Sequence, residues 1–143
     1  MMLLILVGFN FSHGKEKYSI ATDIGHMTTS IIDCLENSDF LMLESNYEPE
    51  VLKCSCYPYL LKTRIAGPNG HLSNQLAGKT IARLIDSGLK QVMLGHLSKE
   101  NNFPELAYQT VINELCNHNF NENHFSLSVA NRLMPSNIIN IEG

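Results

Sequence analysis

Short, nearly continuous apolar runs alternate along the chain with longer stretches of helical spacing, a pattern that predicts an α/β protein. Residues 4–11 and 18–22 read as β-strands on either side of His13-Gly14-Lys15, where glycine supplies the positive φ of a tight hairpin turn. Residues 28–36 read as a helix with Ile31, Ile32 and Leu35 on one face, and residues 40–44 as a short buried strand. From Pro49 to Ile65 the spacing of Val51, Leu52, Leu60, Leu61 and Ile65 permits a helix, but Pro58 lacks a backbone donor and divides it into two pieces. Ser73 stands as N-cap of a helix over residues 74–86 that turns Leu76, Ile81, Leu84 and Ile85 inward, and Gly88 stands where such helices close. Residues 91–94 then read as a strand, and Asn102 as the cap of a helix that takes Pro104 early and runs to about Asn117. Residues 125–129 and 138–141 supply two late strands.

With 143 residues, of which 44% are hydrophobic and 17% charged, the chain can bury a real core and form one domain. Its net charge of −4 excludes a basic coat laid over a whole surface for nucleic acid, though not a local phosphate site. Cys34, Cys54, Cys56 and Cys116 contain no C-x-x-C pair and read as reduced thiols. The apolar stretch over residues 1–7 is far shorter than the roughly 20 residues of a membrane span. The first basic residue, Lys15, comes after that stretch, which is not the order of a secretory signal. The expectation is a cytoplasmic protein without membrane contact.

Three polar clusters fall at strand ends or in loops, where α/β sheets place their chemistry. They are Thr22-Asp23-Ile24-Gly25-His26, Asn69-Gly70-His71-Leu72-Ser73-Asn74, and the run from Leu94 through His96 to Asn102. Asp23 ends an apolar strand, so its carboxylate can project from the sheet edge, and Gly25 leaves room for a metal or substrate against the backbone. Asp and His are ligand types for zinc, manganese or iron. A strand-terminal Asp is also a common turn former, and D-x-G alone carries little. His71 and His96 each sit in the same tetrapeptide, Gly-His-Leu-Ser, which invites a shared site. His13, His118 and His124 read as surface residues, and His26 as intermediate because it neighbours Asp23.

The ordered series Asp23-Ile24-Gly25-His26, Leu43-Glu44-Ser45-Asn46, Tyr57-Pro58-x-x-Leu61-Lys62-x-Arg64-Ile65, Gly70-His71-Leu72-Ser73-Asn74 and His96-Leu97-Ser98-Lys99-Glu100-Asn101-Asn102 resembles the C-terminal half of metallo-β-lactamase-fold hydrolases of the YycJ (WalJ) type. More distantly it is similar to tRNase Z enzymes. The resemblance implies a dinuclear metal-dependent hydrolase, of phosphodiesterase or nuclease type, using zinc or manganese. Asp23 would correspond to the bridging aspartate, His96 to the last histidine ligand, and His71 to a histidine that protonates the leaving oxygen. In fold, it implies one β-layer with its helices from an αββα sandwich, a half-domain over residues 1–143.

The family's H-x-H-x-D-H motif is missing from these 143 residues, and Tyr47-Glu48 stands where the family often has His-Asp. The expectation is therefore a half-domain from a split, truncated or degenerate gene, inactive alone and binding metal weakly or not at all, whose partner is a region supplying H-x-H-x-D-H. A nucleic-acid or phosphodiester substrate would follow on completion. The alternative is a non-catalytic half-domain or interaction module that retains relic site residues. In either case the sheet face without helices should be apolar, which leads to an expectation of self-association.

Overall fold

The computed structural model describes residues 7–118 and 125–140. Among these residues, five strands form one mixed sheet in chain order: β1 (Val7–His13), β2 (Glu16–Thr22), β3 (Phe40–Glu44), β4 (Gln91–Gly95) and β5 (Ser126–Val129). The hairpin β1–β2 is antiparallel and turns at Gly14, whose φ is +62°, while β2, β3, β4 and β5 run parallel. The parallel pairs require crossovers. These carry the helices α1 (Thr29–Leu35), α2 (Pro49–Cys54), α3 (Tyr59–Ile65), α4 (Asn74–Ile85) and α5 (Pro104–Cys116).

Strand register separates the two faces. Ala21, Leu43, Leu94 and Val129 align across the sheet, as do Ser19, Leu41, Val92 and Leu127. These rows meet Ile32 and Leu35 of α1, Ala77, Ile81 and Leu84 of α4, and Ala107, Val111 and Leu115 of α5 in one buried core. The alternate rows carry Phe9, Ile20, Met42 and Met93, then Phe11, Tyr18 and Phe40, on the opposite face. Phe9 and Phe11 stack at 6.3 Å between ring centroids and remain 54% exposed. Residues 131–140 reach this face at β4, where the Ser136 hydroxyl lies 3.8 Å from the Met93 sulfur. The α/β class and a single sheet with one helical face thus agree with the sequence pattern.

Pro58 divides α2 from α3 as expected. Ser73 caps α4 by accepting from the Leu76 N–H at 3.3 Å. At the other end, Gly88 (φ +98°) lets its own N–H reach the Ile85 carbonyl and the Leu89 N–H reach the Leu84 carbonyl, the paired bonds of a Schellman closure.

Four expectations are corrected. Leu76 is 43% exposed rather than inward, because α4 approaches α5 through Ala77 and Gly78, where an added Cβ would lie 2.7 Å from the Glu114 Cβ. Asn102 does not cap α5, whose N-cap is Phe103 without a side-chain bond; its amide is committed to the loops after β3. Residues 138–140 form no strand; Ile141 lies outside the described residues, as do the first three residues of the predicted strand 4–11, and His124. Gly25 does not make room for a ligand: its missing Cβ would stand 2.5 Å from the Gly70 nitrogen and the Pro68 carbonyl, so glycine is needed for loop-on-loop contact.

Candidate active site

The parallel strands β2, β3 and β4 end on one edge of the sheet, and the residues leaving those ends face each other. Asp23 follows β2, Glu44 closes β3 and His96 follows β4, while His71 comes in from the loop between α3 and α4. Asp23 and His96 both adopt left-handed backbone conformations, with φ of +56° and +55°. Such geometry in non-glycine residues costs on the order of 1–3 kcal/mol and concentrates at functional sites. It turns the chain sharply at each strand end.

Glu44 is the centre of the arrangement. It is fully buried, and its Oε1 lies 2.7 Å from Nδ1 of His71 and 2.7 Å from Nδ1 of His96. Its Oε2 accepts the N–H of Ile24 at 2.9 Å and of Leu72 at 3.2 Å, the residues next to Asp23 and His71. One carboxylate thereby joins all three loops. Burial alone pushes the Glu44 carboxyl up, but the hydrogen bonds from His71, His96 and the Ile24 N–H, with the charge of His71, outweigh it and hold the group below its usual range. His96 is raised above its ordinary value, chiefly by its bond to Glu44; burial opposes this, and the charges of Glu44 and Asp23 reinforce it.

A carboxylate can only accept, so both imidazoles present Nδ1–H to Glu44 and leave Nε2 for other chemistry. The Asp23 Oδ1 stands 3.7 Å from Nδ1 of His71 and 3.9 Å from Nδ1 of His96, too far for hydrogen bonds. All four side chains offer donor atoms within 4.8 Å of one another. The set fits part of a metal centre, since carboxylate and imidazole are suitable donors and a buried acid behind a ligating imidazole is the usual support. Glu44 itself fits poorly as a ligand: it has no exposure and both oxygens are already engaged. Asp23 and the Nε2 atoms of both imidazoles are the better donors.

Behind this edge, a second buried network fixes the loops to each other. Asn102 donates to the carbonyls of Ser45 and Asn46 at 2.8 and 3.1 Å, Ser45 donates to Asn74 at 2.7 Å, and Asn46 donates to the His96 carbonyl at 2.7 Å. The Asn46 N–H also bonds the Leu72 carbonyl at 2.8 Å.

Asp23, His71 and His96, singled out from the sequence, therefore come together. Glu44 was not among those candidates. The available signal was a carboxylate ending an otherwise apolar strand that was itself expected to be buried. His13, His26 and His118 are exposed and lie apart from the cluster.

An α/β sheet whose parallel strands end in an aspartate, a buried glutamate and one imidazole, with a second imidazole brought to that glutamate by the α3–α4 loop, defines a protein with donors for a metal ion or a proton. The comparisons make this more particular. No family model matches the chain. It is 36% identical over 107 residues to exodeoxyribonuclease WalJ of Streptococcus pneumoniae, covering 75% of this chain and 40% of that protein. It is 31% identical over 103 residues to exodeoxyribonuclease YycJ of Bacillus anthracis, covering 72% of this chain and 39% of that protein. The chain is a homologue of the WalJ/YycJ proteins over about three quarters of its own length, and spans about two fifths of theirs.

Proposed function

We propose that this chain carries one share of a nuclease-type, metal-dependent phosphodiester hydrolase of metallo-β-lactamase fold, corresponding to the C-terminal portion of its relatives. The observation that carries this reading is the single buried glutamate that aligns both imidazoles beside Asp23. Asp23 and Nε2 of His96 would hold the metal, zinc or manganese. When bound, such an ion supplies Lewis acidity toward a phosphoryl oxygen and a more acidic water. His71 would deliver its Nε2 proton to the leaving oxygen and remain bonded to Glu44 through Nδ1. Glu44 would fix both ring orientations and stabilise the positive charge before that transfer.

A catalytic zinc takes about three protein ligands and a two-metal site more, so Asp23 and His96 need others, of the H-x-H-x-D-H type, from outside these 143 residues. With metal alone, the isolated chain is expected not to hydrolyse bis(p-nitrophenyl) phosphate, and to gain activity when that half is supplied. Turnover by the isolated chain, abolished by Asp23→Ala, would overturn the incomplete-site reading.

The exposed β1 side of that sheet face favours a second reading, a non-catalytic module that associates through Phe9 and Phe11. A monomeric light-scattering mass at micromolar concentration would count against it. Four exposed, unpaired cysteines are in keeping with a cytoplasmic setting, and among the described residues no helix is long and apolar enough to cross a membrane.

A further inference from the structure

Helix α3 buries none of its seven residues, and at its start Tyr59 and Leu60 are 80% and 81% exposed. A helix that packs so little is nevertheless held firmly. Lys62 Nζ donates to the Lys53 carbonyl at 2.5 Å and draws α3 onto the end of α2. At the other end, the His71 N–H donates to the Ile65 carbonyl at 2.9 Å, and the turn between them is the one pressed against Gly25. The arm is thus a fixed ridge that ends at the site.

Its charge differs from that of the chain. Between Pro49 and His71 stand Lys53, Lys62 and Arg64 against one acid, Glu50, in a protein of net charge −4. Glu50 is already paired with Lys53 at 2.7 Å. Arg64 is exposed and has no side-chain partner among the described residues. An exposed tyrosine and leucine beside unneutralised cations form the combination that stacks bases while following a phosphate backbone. The helix is about 10 Å long, matching two or three stacked nucleotides at ~3.4 Å each. A second copy of the chain fits less well, because a two-fold contact would set the same cations against each other.

We propose that α3 is a docking ridge for a single-stranded nucleic-acid end, which it leads past Tyr59 and Arg64 to the His71 side of the site; this rests on the phosphodiesterase reading. The test is fluorescence anisotropy of a labelled oligothymidylate with the full chain, in EDTA at low salt. Tyr59→Ala and Arg64→Ala are each expected to weaken binding about tenfold, and Arg64→Ala to reduce the slope of log K against log salt by about 0.7. Neither variant should change zinc binding or solution mass. No binding by the parent chain, unchanged binding in both variants, or an altered mass in Tyr59→Ala would overturn the ridge. Bis(p-nitrophenyl) phosphate, too small to span α3, keeps the two claims apart: its hydrolysis after complementation reports on the site alone.

Discussion

His71 and His96 meet edge to face, with ring centroids 5.3 Å apart and planes at 60°, and each points Nδ1 at the same oxygen of Glu44. Two loops 25 residues apart are therefore held in one geometry by one acceptor. Replacing it by an amide removes the charge that both N–H groups and two backbone amides address. Glu44→Gln is expected to lower stability by about 2–3 kcal/mol in urea denaturation and, once the H-x-H-x-D-H half is supplied, zinc affinity by 10–100-fold in calorimetric titration. Unchanged zinc affinity would mean that Glu44 is not the support described here.

The pH dependence of the metal-free protein follows from the same contact. His96 is raised above its ordinary 6.5 by Glu44, so its stabilisation is complete below 6.5 and is lost as pH rises through the folded value. For Glu44, burial acts upward but the bonds from His71, His96 and Ile24 prevail, so the group falls below its ordinary 4.5; its stabilisation is present above 4.5 and is lost as pH falls through the folded value. Denaturation midpoints from pH 3 to 9 should plateau between about 4.5 and 6.5 and decline on both sides. Flattening of the alkaline decline in His96→Gln would assign it.

Loop contact at Gly25 leaves no room for a side chain. Gly25→Ala is expected to cost about 2 kcal/mol or more, since the atoms it meets are backbone and cannot swing aside. A thermal melt within a degree of the parent would contradict this close approach.

Much of this was legible in the sequence. Gly14 and Gly88 marked the hairpin and the end of α4 because each occupies a positive φ that glycine adopts freely. Asp23 and His96 could be placed on one edge because strand ends in a parallel sheet share a side, and His71 joined them through the Gly-His-Leu-Ser tetrapeptide it shares with His96. Glu44 was not legible as their hub, since its role depends on three loops meeting in space and no local spacing encodes that. Leu76 was misplaced because apolarity was read without the small residues beside it. Ala77 and Gly78 set the approach to α5, and Leu76 lies about 100° around the helix from Ala77. Leu76→Gln should accordingly stay within about 0.5 kcal/mol of the parent, and Ile81→Ala should cost about 2–5 kcal/mol, by chemical denaturation.

Glu44 holds both imidazoles by Nδ1, and the proposed function assigns Nε2 of His96, with Asp23, to a metal. Long-range ¹H–¹⁵N NMR of the histidine rings during zinc titration reads those nitrogens directly. Nδ1-protonated rings are expected for His71 and His96 near pH 8, with a zinc-dependent shift at Nε2 of His96 that disappears in Asp23→Ala. A shift at Nδ1 of either ring, or no response at His96 while zinc binds elsewhere, would contradict that assignment.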